Sequence, residues 1–337
     1  MNLFYTCNLF NKDEKETHFS FLQNELELVK QVGDKAVFTK NMVEYTVQID
    51  ISNLKEGIDT LIIPIKDNKN VLLFTLNKLK EHSVIDNYNI IVVDDRSTEN
   101  IKQLCEDFNT SYIRVDNSKG FNFSMLNNIA FYACQNKRIK NVIMWNSDLW
   151  PDDCLVLDKL VNLHNTNKCT ISGTKLLYPE TRINEFDTSE NIKHYFPHKF
   201  FSFKGKVQFG NGDYVFSNDQ LHPLHIKRFS DRNSNSVNYN GPSRFITGAF
   251  QIIDLEWILS TGGLNPSLPQ NYQDSELCLR AIEEGKKVFY FGENLHLFHA
   301  ESVTLLEEKK RQKFSKDVIL FNKLWDLNRK FKLLFGE

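Results

Sequence analysis

The sequence has no strong excess of charge of either sign and no long apolar run. Its 337 residues include 41 Lys and Arg against 43 Asp and Glu, which gives a formal net charge of −2 at pH 7. A chain so close to neutral has no general attraction to nucleic acid or to an anionic membrane. No apolar stretch approaches the roughly 20 residues that a membrane-spanning helix needs. We therefore expect a soluble protein that does not bind nucleic acid.

Cysteine is scarce and shows no pattern. The six cysteines are Cys7, Cys105, Cys134, Cys154, Cys169 and Cys278. They form no C-x-x-C pair and no other spacing typical of a metal site. Because no secretory segment opens the sequence, we expect free thiols in a reducing cytosol rather than a disulfide framework. The predicted location is the cytoplasm.

What is present is an alternation of strand-like and helix-like patterns. Four apolar runs typical of buried strands begin at Thr60, Asn89, Tyr112 and Asn141. Each is followed by a segment whose apolar residues recur at helical spacing. Strand and helix alternating in this way predict an α/β fold with a mainly parallel sheet and crossover helices.

The regions outside this alternation are less regular. Residues 1–56 contain short strand-like runs and one helix-like stretch, Phe19–Val32, and are predicted to form a small accessory segment. Residues 178–243 are rich in Asn, Asp, Ser, Phe and His, and a long irregular stretch inside a compact domain is usually functional or mobile. We take that stretch as an irregular insertion in a main domain. The main domain is predicted to cover residues 57–303, followed by a helical tail over 304–337.

Acidic residues stand at the ends of two predicted strands and at the start of a later helix. Asp94 and Asp95 follow one strand, Asp148 follows another, and Asp274 and Glu276 open the helix. Ligands of open α/β sheets bind just beyond the carboxyl ends of the strands. A carboxylate placed there can hold a divalent cation against a diphosphate. Each of these residues also has a structural role open to it, as a helix cap or a turn residue.

Five segments together resemble a known family. They are LIIPIKDNKNVL, IIVVDDRSTEN, NSKGFNFSMLNNIAFYAC, WNSDLWPDDCLVLDKLV and ITGAFQIIDLEWILSTGGLNPSLPQNYQDSELCLRAIEEGKKV, within residues 58–302. In this order they resemble the inverting, nucleotide-sugar-dependent glycosyltransferases of family 2. The resemblance implies the GT-A fold, a single Rossmann-type, mainly parallel sheet with flanking helices. It also implies transfer of a sugar by one displacement that inverts the anomeric centre.

On the donor side, the resemblance implies a nucleotide-diphosphate sugar, with a UDP-sugar expected. The residues that it assigns to this ligand are Pro64, Ile65, Asp67, Asp94, Asp95, Asn117 and Asn146. Pro64, Ile65 and Asp67 would line the pocket for the base and the ribose. Asp94 or Asp95 would reach the base or the ribose.

The resemblance also implies a divalent metal ion, Mn²⁺ or Mg²⁺. Asp148 would hold this ion between the two phosphates, where the ion offsets charge on the departing nucleoside diphosphate. Asn146 stands where many members have Asp, and it offers a carbonyl oxygen without charge. His299 would be the third contact to metal or phosphate, with His296 as the alternative. A histidine on an apolar run is otherwise more often a residue of the core.

For the acceptor, a glycan or a lipid-linked sugar, the resemblance implies a general base. Asp274 is the first choice and Glu276 the second; the base would take a proton from an acceptor hydroxyl, whose oxygen then attacks the anomeric carbon. The expected setting is bacterial surface polysaccharide synthesis. Gln273 stands where the family commonly has Glu, so a catalytically impaired or scaffold protein is the alternative. A nucleotidyltransferase is less favoured, because the loop KDNKNV has no glycine to hold a triphosphate.

The C-terminal tail allows two interpretations. Its basic residues Lys309, Lys310, Arg311, Lys313 and Lys316 precede an apolar run. A basic amphipathic helix can lie on an anionic bilayer surface, which would place the protein at the inner face of the membrane. It can also pack its apolar side on the domain and leave the lysines solvated, which is the commoner case and the one that we favour.

Overall fold

The computed structural model describes residues 5–12, 17–32, 35–116, 120–179, 203–217, 220–300 and 307–325, with the backbone alone for 5–40, 42 and 307–315. Its strands are β1 (Tyr5–Lys12), β2 (Thr17–Val32), β3 (Lys35–Asp50), β4 (Thr60–Ile65), β5 (Asn89–Asp94), β6 (Ser111–Asp116), β7 (Asn141–Trp145), β8 (Leu149–Pro151), β9 (Ile171–Leu177), β10 (Val207–Phe209), β11 (Gly212–Ser217), β12 (Gln220–His225), β13 (Asn240–Pro242), β14 (Phe250–Asp254) and β15 (Val288–His299). Its helices are α1 (Lys69–Glu81), α2 (Val84–Asn87), α3 (Ile101–Asp107), α4 (Phe123–Cys134), α5 (Val156–Thr166), α6 (Leu255–Ser260), α7 (Gln273–Glu283) and α8 (Glu307–Leu324).

One mixed sheet organises the described chain. Its strand order is β1-β2-β3-β6-β5-β4-β7-β14-β9-β15-β13, with β10 added to β9 and β8 added to β15. The central strands β6, β5, β4 and β7 are parallel to one another. Every residue of β4, β5 and β7 is buried, as expected for strands whose two faces are both covered by other elements. The predicted α/β fold, with its parallel core and crossover helices, is confirmed.

The parallel arrangement fixes where the acidic strand ends lie. Ile65 of β4 pairs with Asp94 of β5, and Ile62 of β4 pairs with Met144 near the end of β7. Because the carboxyl ends of parallel strands meet at one edge of a sheet, the turns after β4, β5 and β7 are neighbours. Backbone pairing alone therefore brings residues far apart in sequence to one edge.

The N-terminal segment extends this sheet. β3 pairs antiparallel with β6, from Thr46↔Asp116 to Asp50↔Tyr112, and β2 and β1 follow outward. The helix expected over Phe19–Val32 is wrong, because this stretch lies in β2 and pairs with β3 along its length. Alternation in Phe19-Ser20-Phe21 and Leu26-Glu27-Leu28 is the period-2 pattern of a strand.

The stretch 178–243 contains regular structure where it is described. β10 pairs with the end of β9, β13 pairs with β15, and β11 and β12 form a separate antiparallel hairpin. Residues 180–202 and 218–219 lie outside the described residues. The boundaries predicted for the insertion and for the main domain stay predictions.

The C-terminal helix α8 packs against the domain through its second half. Val318, Leu320 and Phe321 are buried, as is Trp325 just beyond the helix end. Asn322 ties the helix to β12, since its Oδ1 accepts from the Leu221 backbone N–H at 2.7 Å. Packing is thus the observed state of this half. None of the helices in the described ranges combines the length and the apolar character needed to cross a bilayer.

Candidate active site

A tight turn fixes Asp148 directly after β7. The Asn146 backbone N–H donates to the Ala249 carbonyl at 3.0 Å, and the Leu149 N–H donates back to the Asn146 carbonyl at 3.1 Å. The Asp148 carbonyl accepts from the Ala300 N–H at 3.0 Å, next to the end of β15. Asp148 is 7% exposed. Its position is therefore set by backbone hydrogen bonds to two other strands.

His299 at the end of β15 faces this carboxylate. Its Nε2 lies 3.2 Å from Asp148 Oδ1 and 3.1 Å from Asn146 Nδ2. The structure thus brings together the three residues that the resemblance assigned to the metal and phosphate contacts. His296 does not join them: its Nε2 lies 2.9 Å from Asp152 Oδ2. Residues three apart on a strand point to opposite faces, which explains the separation of the two histidines.

Gln208 of β10 determines how the His299 ring is used. Gln208 Nε2 donates to the His299 carbonyl at 3.3 Å, and this contact fixes the orientation of the amide. Gln208 Oε1 then faces His299 Nδ1 at 2.6 Å and can only accept. The proton of Nδ1 is held there, and Nε2 is directed at Asp148. A ring nitrogen oriented by a hydrogen bond on the other nitrogen is the usual arrangement of a metal-binding histidine.

The chemistry of this group fits a divalent ion in part. Asp148 offers carboxylate oxygens and His299 offers Nε2, a mixed oxygen and nitrogen set that suits Mn²⁺. Asn146 could add an amide oxygen if its side chain turned over, since amide oxygen and nitrogen are exchanged by a flip. Within the described ranges no group of three or more His, Cys, Asp or Glu is arranged to hold a metal. An ion bound here would need oxygens from a diphosphate or water to complete its coordination.

Asp94 and Asp95 at the end of β5 have different surroundings. Both carboxylate oxygens of Asp94 have hydrogen-bond donors. Oδ1 accepts from the Ser97 N–H at 2.8 Å, and Oδ2 accepts from Tyr112 Oη at 2.7 Å and Arg114 Nη1 at 3.1 Å. Burial first, and then the Asp94 carboxylate, raises the pKa of Tyr112, so that the phenol stays a donor. Asp94 therefore holds the turn after β5 and the neighbouring strand together.

Asp95 keeps an unused acceptor. Its Oδ2 lies 3.0 Å from Lys66 Nζ, whereas its Oδ1 is buried without a hydrogen-bond partner. A buried carboxylate oxygen left unpaired costs free energy, so each such atom in a folded protein calls for an explanation. A ligand that binds at the carboxyl end of this parallel strand and donates a hydrogen bond to Oδ1 would supply the missing partner.

The other residues that the resemblance assigns to the nucleotide, apart from Asn117, lie at the turn after β4, next to the turn after β5. Pro64 and Ile65 are buried at the end of β4. Asp67, at a φ of 56°, bridges to the next turn: its Oδ1 accepts from the Thr98 N–H at 2.8 Å and the Thr98 hydroxyl at 2.9 Å. Asp and Asn tolerate this left-handed conformation better than most residues. Asn117 lies outside the described residues.

Asp274 sits in the first turn of α7 and reaches toward the Asp148 turn. Its Oδ2 accepts from the Gly248 N–H at 2.6 Å, and its Oδ1 accepts from the Ser275 N–H at 2.7 Å. A Cβ atom on Gly248 would lie 3.2 Å from the Asp274 Cβ, so the close approach favours glycine. The adjacent Ala249 carbonyl is the acceptor of the Asn146 N–H. One short loop therefore joins the Asp274 carboxylate to the Asp148 turn.

Glu276 and Gln273 are placed differently from Asp274. Glu276 is 4% exposed and its Oε1 lies 3.0 Å from Arg280 Nε, one turn along the same helix. Arg280 Nη2 donates in turn to the Gly263 carbonyl at 2.7 Å. Gln273 is 6% exposed, and its Oε1 is buried without a hydrogen-bond partner. Glu276 thus belongs to a structural ion pair that secures the turn before α7.

Three contributors to this site were not identified from the sequence. Gln208 lies in a stretch without a recognised motif, and nothing local marks it. Lys66 lies in the segment LIIPIKDNKNVL, but its pairing with the Asp95 carboxylate depends on which strands are neighbours in the sheet. Gly248 could have been noticed, since an isolated glycine in a strand-like run often marks a close backbone approach.

The family comparison covers about half of the chain. Residues 60–221 match the model described as Glycosyl transferase family 2. Among curated proteins, the uncharacterized protein y4gI of Sinorhizobium fredii (strain NBRC 101917 / NGR234) is 27% identical over 277 residues. That alignment covers 79% of this chain and 27% of the relative, so the chain spans about a quarter of the length of this protein.

The solved structures that resemble this chain share little sequence with it. Mannosyltransferase PcManGT from Pyrobaculum calidifontis, in complex with GDP-Man and Mn2+, has a TM-score of 0.51 and 11% identity. The match covers 82% of this chain and 66% of that one. TarS 1-349 of S. aureus, in complex with UDP-GlcNAc, has a TM-score of 0.49 and 13% identity, over 82% of this chain and 70% of the other. The first likeness concerns the fold alone, and it agrees with the predicted GT-A type.

Proposed function

Residues 60–221 belong to glycosyl transferase family 2, and from that premise we propose that the chain is a metal-dependent, inverting glycosyltransferase. It takes a sugar from a nucleotide-diphosphate donor, with UDP as the expected nucleotide, and transfers it to a hydroxyl of a glycan or lipid-linked acceptor. The supporting observation is the loop Gly248–Ala249. This loop bonds the Asp274 carboxylate on one side and the Asn146 turn, next to Asp148, on the other.

The donor is bound at the carboxyl ends of β4, β5 and β7. The unpaired Asp95 Oδ1 accepts a hydrogen bond from the base or the ribose. Asp94 shapes the turn instead, because its oxygens already have three donors. Pro64 and Ile65 supply the apolar wall of the nucleoside pocket. Lys66 is paired with Asp95 and so orients that carboxylate.

Asp148 and His299 would hold the divalent ion, with the diphosphate of the donor beside them. When bound, the ion offsets negative charge on the departing nucleoside diphosphate. The protein's own contribution is orientation: Gln208 keeps His299 Nε2 directed at the site, and the Asp148 backbone is tied to Ala300. Asn146 adds a polar contact on the same side.

Asp274 is the general base. Its Oδ2 accepts one hydrogen bond, from the Gly248 N–H, and retains capacity for a second, which can come from an acceptor hydroxyl. Its Oδ1 already accepts from both the N–H and the hydroxyl of Ser275. The hydroxyl oxygen attacks the anomeric carbon as its proton passes to the Asp274 carboxylate, and the bond to the nucleoside diphosphate breaks on the opposite face. Glu276 is less suited, because Arg280 occupies its carboxylate.

A panel of nucleotide sugars, tested with and without Mn²⁺, examines this proposal directly. A ligand that binds the folded state alone stabilises it by an amount that grows with the logarithm of its concentration over Kd. We expect a metal-dependent thermal shift with one donor, followed by slow metal-dependent hydrolysis of that donor. Asp148→Ala should remove both responses. Equal shifts and equal hydrolysis in the variant, or in excess chelator, would contradict the metal assignment.

Gln273 motivates a second candidate function, a scaffold that binds the donor without reacting. It stands where the family commonly has Glu, and its amide oxygen is buried without a partner. A scaffold would show the donor-induced shift without hydrolysis or transfer. Hydrolysis by the wild-type protein distinguishes the two.

Under either candidate we place the protein in the cytoplasm and in surface polysaccharide synthesis. Contact with the inner membrane face through residues 304–337 is a further proposal.

A further inference from the structure

The start of α7 is held from outside by the C-terminal helix α8. Asn271 lies two residues before α7, and both its backbone N–H and its side-chain Nδ2 donate to Asp317 Oδ2, at 3.0 and 2.9 Å. Asp317 is 4% exposed and lies in α8. A buried carboxylate that accepts two hydrogen bonds from one residue fixes that residue firmly, since charge-assisted bonds are the stronger ones.

The next residue, Tyr272, shows why such a hold is needed. It has a φ of 65°, and the first residues of α7 gain no side-chain cap from it. A bulky side chain in the left-handed region is strained and persists only where its surroundings impose it. Its ring lies 5.0 Å from that of Phe321, again in α8. α8 therefore holds both residues that set the direction of the first turn of α7.

A second tether comes from the hairpin formed by β11 and β12. The Tyr214 hydroxyl donates to the Ser275 carbonyl at 2.8 Å, in the first turn of α7. The contact of Asp317 with Asn271 and the contact of Tyr214 with Ser275 are thus two separate tethers, and Asp274 lies between the residues that they hold.

From these contacts we propose that Asp317 is a positioning residue that aims Asp274 at the acceptor through Asn271 and Tyr272. The inference rests on the proposed role of Asp274 as the base. The Asp274–Gly248 contact of 2.6 Å is the geometry that it maintains. Misplacement of a reacting group by about 1 Å can cost on the order of a hundredfold in rate, so a residue that never touches substrate can matter.

The test compares Asp317→Ala with Asn322→Ala. Asn322 is a matched control, because it lies on the same helix and bonds the Leu221 backbone without bonding Asn271. Hydrogen exchange at the Gly248 amide, which donates to Asp274, reports the geometry without any need for activity. We expect Asp317→Ala to lose protection at Gly248 and Asn322→Ala to keep it.

Transfer kinetics give the second measurement. Asp317→Ala should lower kcat by about tenfold to a hundredfold while the donor Kd stays unchanged. Asp317→Asn retains an acceptor oxygen for Asn271 and should keep most of the kcat. If Asp317→Ala does not fold, Asn271→Ala removes only the side-chain donor and should change Gly248 exchange and kcat in the same direction, by less.

The outcomes separate the two proposals. Unchanged Gly248 exchange in Asp317→Ala and in Asn271→Ala would overturn the role of Asp317. Equal loss of kcat in Asp317→Ala and in the control Asn322→Ala would overturn it too. Altered Gly248 exchange with no transfer activity even in the wild-type protein would leave the geometric part standing and overturn the function assigned to Asp274.

Discussion

The donor edge and the acceptor side of this molecule are built in different ways. At the donor edge, the turns after β4, β5 and β7 are carried by adjacent parallel strands, and their positions follow from backbone pairing. On the acceptor side, the Asp274 carboxylate accepts from the Gly248 backbone N–H. Side chains of α8 and of the hairpin hold Asn271 and Ser275, on either side of Asp274 in the sequence. We therefore expect substitutions at the donor edge to be tolerated poorly, and substitutions on the acceptor side to adjust the position of Asp274. Four measurements probe that contrast.

The largest effect is expected at Asp274. Removal of a general base costs about a hundredfold to ten-thousandfold in rate, so Asp274→Asn should lose turnover in that range. Donor affinity should stay nearly unchanged, because the proposed contact of Asp274 is with the acceptor rather than with the nucleotide. Steady-state kinetics together with calorimetric titration of the donor measure both. Wild-type turnover in Asp274→Asn, with loss in Glu276→Gln, would place the base two residues later, at Glu276.

The next effect concerns the orientation of His299. Replacing a residue that orients a metal ligand typically costs about 10- to 100-fold in metal affinity, and Gln208→Ala should fall in this range. Gln208→Glu preserves an acceptor for the Nδ1 proton and should lose less. Titration of Mn²⁺ in the presence of nucleoside diphosphate gives the affinities. Equal metal affinity in wild-type protein and Gln208→Ala would show that Gln208 of β10 does not contribute to metal binding.

A smaller effect distinguishes the two acidic residues after β5. Asp95→Asn should weaken nucleoside diphosphate binding by roughly tenfold, the equivalent of about 1.5 kcal/mol for a hydrogen bond to a charged group. Asp94→Asn should instead lower the melting temperature, because Asp94 is saturated by Ser97, Tyr112 and Arg114. Unchanged nucleotide affinity in Asp95→Asn, measured by calorimetry, would return both residues to structural roles.

The smallest effect is expected outside the site, at the other histidine of β15. The His296 imidazole lowers the pKa of Asp152, whose side chain is 43% exposed. A carboxyl whose pKa is lowered in the folded protein adds stability that is fully present above the ordinary aspartate pKa of about 4. That stability is lost as pH falls through the lowered pKa. Asp152→Asn should cost at most about 1 kcal/mol at neutral pH and nothing in acid. Denaturant unfolding at both pH values is the measurement, and a change in Mn²⁺ affinity would show that this pair is not separate from His299.

The same contrast explains what the sequence could predict. The runs Thr60–Ile65, Asn89–Asp94 and Asn141–Trp145 consist mostly of apolar residues and are buried throughout, and burial on both faces is the physical reason that they form a parallel core. Their ends therefore identified Asp95 and Asp148 as candidates. The helix predicted over Phe19–Val32 was wrong because its alternation was masked by Leu22 and Val29, which break a strict period of two.

Side-chain contacts between distant elements left much weaker signals. Gln208 and His299 are 91 residues apart, and Tyr214 and Ser275 are 61 apart. Contacts of this kind depend on which strands become neighbours across the whole sheet, and no local pattern encodes them. Periodicity could place Asp274 at a helix start, but the residues that hold that start in place could only be found in the folded chain.

The distance in sequence between Asn271 and Asp317 also bears on when the site becomes complete during synthesis. These residues are 46 positions apart, and Asp317 is the later of the two to be made. At translation rates of about 5 to 20 residues per second, α7 waits roughly 2 to 9 seconds for its anchor. During that interval the parallel core can already be folded while Tyr272 has no partner in α8 to impose its strained conformation. At this stage the turns after β4, β5 and β7 can already be in place while Asp274 is not yet held.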